Sequence, residues 1–247
     1  MILRVLSYNI HKGFSLTNTQ FILDGIKKAM KELDPDVVFL QEVLGDHQKN
    51  KIPDWETAIQ FEYLADSVWT HFAYGKNAIY PEGHHGNAIL SKFPIIDWEN
   101  YKISTNRLEH RGLLKARIQD PISGKEVVLA NTHLDLTQRG RDQQTQLLIH
   151  HMRFNDNAPW VLVGDFNDWN KKVTPRIERE LGAIECFKKL HGKLPATFPS
   201  VFPVLQLDRV FVKGFTPIMA EALSGPQWRR LSDHLPLLVE IKLTDSE

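Results

Sequence analysis

Short apolar runs rich in β-branched residues recur along the chain, and each stops at a polar or turn residue. Runs of this length without strict polar alternation are typical of strands that are buried on both faces. We therefore predict strands at residues 3–10, 37–40, 88–90, 127–131, 160–163, 207–212 and 235–241.

Three segments between these runs place apolar residues at helical spacing. Residues 21–33 repeat apolar side chains on one face, follow the cap-type residues Thr17, Asn18 and Thr19, and stop before Pro35. Residues 141–152 and 176–181 predict a second and a third helix. Because helices and strands mix over the whole length without a repeat or a low-complexity linker, we expect one layered α/β domain over residues 1–247.

Two polar or proline-bearing stretches, residues 45–55 and 192–205, are predicted to form long surface loops. Long loops on a rigid scaffold commonly determine which substrate is bound. We therefore expect these two loops to contribute to specificity.

The overall composition narrows the possible function. The 30 basic and 30 acidic residues cancel, which argues against a protein that coats nucleic acid but allows a local basic patch. The single cysteine, Cys186, excludes an internal disulfide and a cysteine-based metal site, and it fits a reducing compartment. The N-terminus lacks a signal-peptide pattern, and no apolar run approaches the roughly 20 residues that span a bilayer. We expect a cytoplasmic protein, for which peripheral membrane contact stays open.

Polar side chains able to bind metals or transfer protons stand at the ends of the predicted strands. Any one of them alone is more often a turn or cap residue. Because the strands of a sheet can bring their ends together, six such positions predict one polar cluster. They are Asn9, Gln41-Glu42, residues 131–135, residues 164–168, Asp208 and Ser232-Asp233-His234.

The oxygen-bearing members of this set predict a magnesium site. Glu42 and Asp233 offer carboxylate oxygens, and Asn9 and Asn167 offer amide oxygens. This set suits Mg²⁺, with Mn²⁺ as an alternative. It suits zinc poorly, since the sequence has neither a His-Glu-x-x-His pair nor a cysteine cluster.

The two histidines at strand ends, His133 and His234, can supply acid/base chemistry or stabilise charge near neutral pH. Asp208 is a plausible partner that orients one imidazole. A serine hydrolase is a competing interpretation, because Ser232, Asp233 and His234 contain the three residue types of a triad. It is weak, since adjacent residues of an extended strand face opposite sides and no Gly-x-Ser-x-Gly elbow occurs.

Seven short motifs follow one another along nearly the whole chain. They are Tyr8-Asn9, Gln41-Glu42, Gly86-Asn87-Ala88-Ile89-Leu90-Ser91, Thr132-His133-Leu134-Asp135, Gly164-Asp165-Phe166-Asn167, Leu207-Asp208-Arg209 and Ser232-Asp233-His234. Each motif alone is weak, but the ordered set resembles that of the endonuclease/exonuclease/phosphatase (DNase I-like) superfamily. The resemblance implies a four-layer α/β sandwich, with two mixed β-sheets packed face to face between helices. It also implies a Mg²⁺-assisted attack of water on phosphorus.

The resemblance further implies roles for individual residues on the metal and water side. Glu42 would be the principal metal ligand, with Asn9 and Asp233 near the metal. Asp165 and Asn167 would position or activate the attacking water, and Asn167 would also bind substrate phosphate.

The remaining candidates lie on the implied substrate side. His234, held by Asp208, would stabilise the transition state or act as base. His133 would sit opposite as a phosphate ligand or general acid. His85 and Asn87 are candidate substrate contacts.

A cationic cluster of Arg107, His110 and Arg111 could clamp an anionic substrate. Exposed charge clusters are more often only solvated. We include Arg111 among the candidate substrate-binding residues.

Departures from the motif patterns of individual branches of the superfamily narrow the range of possible substrates. Abasic-site endonucleases usually carry Tyr where this chain has His85, and a Tyr-x-Pro-Asn-type segment where it has Asn131-Thr132-His133, so repair of abasic DNA is disfavoured. The Thr132 motif, followed by Arg141 and Gln144, instead resembles branches that include sphingomyelinases, deadenylases, tyrosyl-DNA phosphodiesterases and pancreatic-type deoxyribonucleases.

Three hypotheses follow for the activity. The first is a phosphodiesterase that acts on a phospholipid head group or another small phosphoester. The alternative is a Mg²⁺-dependent endonuclease or exonuclease acting on DNA or RNA, which needs a local basic groove. The third, a binding module without catalysis, is disfavoured because Glu42, Asp165 and His234 are all present. We expect a phosphate-ester substrate and no obligate protein partner.

Overall fold

Two six-stranded sheets form the centre of the computed structural model, which describes residues 1–15, 21–47, 59–66, 68–80, 83–105, 110–153 and 158–244. The strands are β1 Ile2–Asn9, β2 Val37–His47, β3 His71–Tyr80, β4 Gly83–Ser91, β5 Ile95–Lys102, β6 Gly112–Gln119, β7 Glu126–His133, β8 Trp160–Asp165, β9 Ile184–Glu185, β10 Asp208–Lys213, β11 Phe215–Ala222 and β12 Leu237–Leu243. The helices are α1 Leu23–Leu33, α2 Gln60–Ala65, α3 Gln138–Arg153, α4 Val173–Leu181, α5 Cys186–His191 and α6 Trp228–Leu231, and a short 3-10 turn covers His11–Gly13.

Both sheets are mixed, and they have similar strand arrangements. The strand order is β11-β12-β1-β2-β4-β3 in the first sheet and β5-β6-β7-β8-β10-β9 in the second. Helices α1, α2 and α6 cover the outer face of the first sheet, and α3 and α4 cover the outer face of the second. The fold is therefore a four-layer α/β sandwich, as the motif resemblance implied.

The central strands are apolar along their whole length because each faces two cores. In β1, Leu3 and Val5 point into the core between the sheets, while Leu6 and Tyr8 point into the core beneath the helices. Strands β7 and β8 divide their side chains in the same way on the other side. This double burial explains why these segments lack polar alternation.

One parallel strand pair lies at the centre of each sheet. In the first sheet β1 runs parallel to β2, with Asn9 opposite Gln41. In the second sheet β7 runs parallel to β8, with His133 opposite Asp165. Strand β10 runs antiparallel to β8 and begins at Asp208, opposite Asp165. Polar residues from both sheets therefore meet at one end of the sandwich.

A buried amide network joins the two sheets just below that end. The Asn131 side chain on β7 donates to the carbonyls of Leu40 and Ala88 in the first sheet, at 2.9 and 2.8 Å. Its Oδ1 accepts from Gln41 Nε2 at 2.8 Å. Asn131 and Gln41 are both fully buried, so these directional bonds fix how one sheet sits on the other.

All seven predicted strands are confirmed, but five further strands were not predicted. The edge strand β11 exposes one face and the edge strand β5 exposes residues on both faces, so polar residues interrupt their apolar patterns. Strand β6 was not predicted because charged residues interrupt its apolar run. Its Lys115 is nevertheless buried, because the ammonium group donates to the His151 carbonyl at 2.8 Å. Strands β3 and β9 were missed as well.

The three predicted helices correspond to α1, α3 and α4, and the helices α2, α5 and α6 were not predicted. Helix α1 ends at Leu33, where Asp34 adopts a left-handed conformation directly before Pro35. The predicted capping residues Thr17, Asn18 and Thr19 lie outside the described residues. The interpretation of Glu42 as the end of its strand is wrong, because β2 continues to His47.

Two properties of the fold concern the expected compartment. In the part of the chain that the structure describes, no helix is both long enough and apolar enough to cross a membrane. Cys186 is a buried free thiol in the core between the sheets.

Replacing the amide at the sheet junction is expected to destabilise the fold. Asn131→Leu keeps the branched side-chain shape but removes the donor to two buried backbone carbonyls and the acceptor of the Gln41 amide. We expect the free energy of unfolding to fall by about 2 to 4 kcal/mol, measured by urea denaturation. The matched control is Asn170→Leu, whose amide makes an exposed bond to Gln138. An equal effect of both substitutions would contradict the structural role of Asn131.

Candidate active site

A cavity of about 430 Å³ opens at the end of the sandwich where the polar strand ends meet. Its volume lies in the range typical of small-molecule sites. The lining residues are Lys12, Glu42, Ala78, His85, His110, Arg111, His133, Leu136, Asp165, Asn167, Trp169, Phe198, Leu205, Leu207, Asp233 and His234. The cavity thus combines carboxylates, imidazoles and cations with an apolar margin.

His234 lies between two buried carboxylates at the floor of this cavity. Its Nδ1 donates to Asp208 Oδ2 at 2.9 Å, and its Nε2 lies 3.6 Å from Asp165 Oδ2. All three residues are buried. The predicted pairing of His234 with Asp208 is present in the structure, and Asp208 fixes the tautomer and orientation of the ring.

Neighbouring charge determines the protonation of this group. Burial alone would lower the pKa of His234, but the carboxylates of Asp208 and Asp165 outweigh it and raise that pKa to about 10. Burial raises the pKa of Asp165 to about 6, although the nearby His234 opposes this shift. His234 is therefore a cation at neutral pH, and Asp165 is a carboxylate of unusually high basicity.

Two further imidazoles of the cavity, those of His133 and His85, are held neutral. Burial, followed by the positive charge of Arg111, brings the pKa of His133 well below its usual value. Burial and the charge of Lys12 lower the pKa of His85 to about 4. His133 Nε2 lies 3.4 Å from Asp165 Oδ2, the same carboxylate oxygen that faces His234 Nε2. His133 and His85 can thus bind a phosphate oxygen as neutral hydrogen-bonding groups.

Glu42 reaches the cavity because β2 contains a bulge. The register with β4 shifts between Leu40 and Val43, and Glu42 has a positive φ of 56°. A non-glycine residue in this region is uncommon, and such conformations concentrate at functional sites. The bulge turns the Glu42 carboxylate toward Asn9, whose Nδ2 donates to Glu42 Oε1 at 3.3 Å.

Asn9 links the metal-side candidates to the His234 group. Its Nδ2 also donates to Asp165 Oδ2 at 3.2 Å, while its Oδ1 accepts the His11 backbone N–H at 3.1 Å. In this arrangement Asn9 bridges two carboxylates as a donor and turns its oxygen away from the cavity. Its role as a metal ligand stays a prediction.

Asp233 is oriented by the turn that follows β1. Its Oδ2 lies 3.1 Å from His11 Nδ1. Burial would raise the pKa of Asp233, but His11 and the charge of His234 outweigh this and keep it below its usual value. The neighbouring Ser232 is fully buried and donates to the Asn9 carbonyl at 2.7 Å. Ser232 is thus used structurally, which argues against the serine-hydrolase interpretation.

Backbone geometry at the end of β8 places Asp165 and Asn167. A side chain at Gly164 would lie 2.0 Å from the Thr132 carbonyl, and Gly164 has a φ of 155°. Glycine therefore allows β8 to approach β7 closely at the site. Asn167 donates its backbone N–H to Asp165 Oδ1 at 3.0 Å, and its Nδ2 donates to the Leu134 carbonyl at 3.0 Å.

The carboxylates that face the cavity fit a hard divalent cation. Glu42, Asp165 and Asp233 offer the oxygen donors that Mg²⁺ and Mn²⁺ prefer. Asp165, Asp208 and His234 also bring donor atoms within 4.8 Å of one another. His234 suits a cation poorly, however, because its Nδ1 is bonded to Asp208 and the ring is protonated. The Glu42 and Asp233 side of the cavity is the better candidate.

Only some of the predicted substrate contacts line the cavity. His85 and Arg111 line the cavity, together with His110. Asn87 does not line it: this buried residue donates to the Gly112 carbonyl at 3.4 Å, across to the second sheet. A role for Asn87 in binding substrate stays a prediction. Arg107 lies outside the described residues.

Several residues of the cavity were not singled out from the sequence. Lys12 lines the cavity and His11 contacts Asp233, and both lie in the short turn just after the strand-closing Asn9, which was the available signal. Leu136, Phe198 and Leu205 line the cavity margin, and the last two belong to the predicted loop at residues 192–205. Apolar loop residues carry no chemical signature, so only the structure reveals this contribution.

Comparison with known proteins identifies the family. The endonuclease/exonuclease/phosphatase family model matches residues 6–234. The uncharacterized protein YbhP of Escherichia coli (strain K12) is 42% identical over 243 residues, which cover 97% of this chain and 96% of YbhP.

Two solved structures share the fold. An endonuclease/exonuclease/phosphatase from Beutenbergia cavernae aligns with a TM-score of 0.80 at 20% identity, over 98% of this chain and 72% of the other. The human Nocturnin catalytic domain with bound sulfate aligns with a TM-score of 0.77 at 19% identity, over 98% and 94%. From the family model and the likeness to YbhP, the chain belongs to the endonuclease/exonuclease/phosphatase family of phosphoester hydrolases.

Proposed function

We propose that this protein is a divalent-metal-dependent phosphodiesterase that acts on a phospholipid head group or another small phosphoester. The observation that carries the proposal is the position of His234, clamped between Asp208 and Asp165 at the floor of a cavity. This cavity also holds carboxylates suited to a metal and cations suited to a phosphate. Together these three elements can stabilise the charge that develops during hydrolysis of a phosphoester.

Glu42 and Asp233 would hold the metal, and Asn9 would orient the Glu42 carboxylate. Mg²⁺ or Mn²⁺ bound there would supply Lewis-acid polarisation of the phosphoryl group and neutralise part of its charge. The low pKa of Asp233 keeps this ligand ionised.

Asp165 is the candidate base for the attacking water. Its raised pKa makes it a better proton acceptor than an ordinary carboxylate. The backbone N–H of Asn167 holds one carboxylate oxygen, leaving the other toward the imidazoles. The Asn167 side-chain oxygen is available to orient the water or a phosphate oxygen.

His234 is best suited to stabilise negative charge on phosphorus. The resemblance left open whether it acts as base or as stabiliser, and its protonated state favours the second role. His133 and His85, held neutral, would bind phosphate oxygens from other sides. Lys12 and Arg111 would add positive charge at the cavity wall.

The preference for a small phosphoester follows from size and charge. The cavity volume of about 430 Å³ suits a head group or a single nucleotide-sized ligand. The zero net charge provides no long-range field that would gather a polyanion.

A nuclease is the second candidate, favoured by one observation. The ring of Trp169 lies partly exposed at the cavity margin, where it could stack on a base. Cleavage of single-stranded DNA or RNA would then weaken steeply with salt.

An activity screen separates these candidates. The protein is assayed for hydrolysis in the presence of Mg²⁺, Mn²⁺ or EDTA. The substrates are phospholipids, small phosphoesters such as inositol phosphates, and nucleic acids. We expect metal-dependent release from the small or lipid phosphoesters and none in EDTA. His234→Ala should lower kcat by about 10²- to 10³-fold, as expected on loss of a transition-state contact. Hydrolysis confined to nucleic acids would favour the nuclease, and full activity of His234→Ala would contradict the site.

Neutralising Glu42 is expected to weaken metal binding. Glu42→Gln removes one anionic oxygen ligand, so we expect Mg²⁺ and Mn²⁺ affinity to fall about tenfold or more by calorimetry. Glu221→Gln, an exposed carboxylate on the edge strand β11, is the control. Equal metal affinity of the two variants would contradict the assignment of Glu42 as a metal ligand.

Asp208 is expected to act as a positioning residue through His234. Asp208→Asn keeps the shape but removes the charge that holds the imidazolium, so kcat should fall about 10- to 100-fold while KM changes little. Asp97→Asn serves as control, because Asp97 pairs with Arg117 at the distant strand β5. An unchanged kcat, or a change in KM alone, would contradict this role.

A further inference from the structure

Six exposed apolar residues flank the mouth of the cavity and are named here the apolar rim. They are Leu136, Trp169, Val201, Phe202, Val204 and Leu205. Leu136, Trp169 and Leu205 line the cavity itself, while the other three lie in the loop between Phe198 and Leu205. Phe202 is 73% exposed, Val204 57% and Leu136 51%. Exposed apolar side chains gathered around a cavity mouth point to an interaction site, whereas single scattered ones are ordinary surface.

One wall of the apolar rim is fixed by Arg141. This fully buried guanidinium donates to the carbonyls of Asp135 and Leu136 at 3.2 and 2.7 Å. It also lies 4.2 Å from the ring centre of Trp169. Leu136 and Trp169 are therefore held in place by one cation through hydrogen bonds and a cation–π contact.

The other wall is tied to the reaction centre. The backbone N–H groups of Val204 and Leu205 both donate to the Phe198 carbonyl, closing a compact loop. Ser200 joins this loop to the segment that carries the site, since its N–H donates to the Asp233 carbonyl and its Oγ to the Ser232 carbonyl, both at 2.7 Å. The loop is thus anchored at its base and holds its apolar tip outward.

Exposed cations flank both walls of the apolar rim. They are Arg139, Lys171 and Lys172 beside Leu136 and Trp169, and Arg229 and Arg230 beside the Ser200 loop. Among the described residues, none of the five forms an ion pair with a carboxylate within 4 Å. This local positive charge contrasts with the zero net charge of the chain and complements an anionic surface.

We propose that the apolar rim and its flanking cations form a docking surface for an anionic phospholipid bilayer. The proposal rests on the proposed function, since docking would bring a lipid phosphodiester to the cavity mouth. Apolar and aromatic side chains enter the boundary between head groups and acyl chains, and the cations bind lipid phosphates. A bilayer accounts for the rim better than a soluble ligand does, because Val201, Phe202 and Val204 lie outside the cavity.

Vesicle flotation tests the docking directly and without turnover. The full-length protein in EDTA is mixed with vesicles of phosphatidylcholine alone or of equimolar phosphatidylcholine and phosphatidylglycerol. We expect binding to the anionic vesicles only, weakened by salt. The double substitution Phe202→Ser/Val204→Ser should weaken partitioning by about tenfold or more, since binding scales with buried apolar area. Arg229→Gln/Arg230→Gln should also weaken it and reduce its salt dependence.

The matched control is Ile122→Ser, which removes an almost fully exposed apolar residue from the turn between β6 and β7. It should bind as the unmodified protein does. The docking surface would be contradicted if Ile122→Ser and Phe202→Ser/Val204→Ser bound equally well. It would also be contradicted if the protein bound both vesicle types equally or bound neither.

A parallel assay keeps this inference separate from the proposed function. Hydrolysis of the soluble ester bis-para-nitrophenyl phosphate with Mg²⁺ is measured for the same variants, and Phe202→Ser/Val204→Ser should retain it. Hydrolysis without vesicle binding overturns docking and leaves the proposed function standing. Vesicle binding without hydrolysis of any phosphoester supports docking and overturns the proposed function.

Discussion

The buried hydrogen bonds of Asn131 to Gln41 and to two backbone carbonyls of the opposite sheet are the constraint on which the site depends. Apolar packing between two sheets is not directional, so it permits small sliding of one sheet over the other. The Asn131 amide removes that freedom, because it bonds to carbonyls of two strands in the opposite sheet. Gln41 precedes Glu42, and Asn131 lies two residues before His133. The same bonds therefore set the distance between the metal-side and phosphate-side halves of the cavity.

Charge is divided across the cavity in a way that a phosphoester hydrolase requires. Carboxylates concentrate at the floor, where Asp208 and Asp165 stabilise the His234 cation. Burial, assisted by the charges of Lys12 and Arg111 at the wall, keeps His85 and His133 neutral. These three imidazoles thus take their protonation states from their surroundings, and chemically identical side chains acquire different capacities.

The sequence predicted those parts of the molecule whose local pattern reflects their burial. Most strands buried on both faces were found, although the charged residues of β6 prevented its prediction. The edge strands β5 and β11 were missed because exposed polar residues interrupt their apolar pattern. The pairing of His234 with Asp208 was expected from the motifs. The bulge at Glu42 was not, because its positive φ depends on how β2 pairs with β4. Neither the contact of His11 with Asp233 nor the apolar rim has a local signature, since both arise from distant segments.

The bonds of Ser200 to the backbone of Ser232 and Asp233 have a consequence for how such enzymes diversify. A loop that merely borders a cavity can be exchanged by insertion or deletion without changing the chemistry. Here the loop between Phe198 and Leu205 shares hydrogen bonds with the segment bearing Asp233 and His234, so a shift of one moves the other. Replacing Ser200 would keep the backbone bond to Asp233 but lose the hydroxyl bond to Ser232, so the loop can vary most freely at its tip.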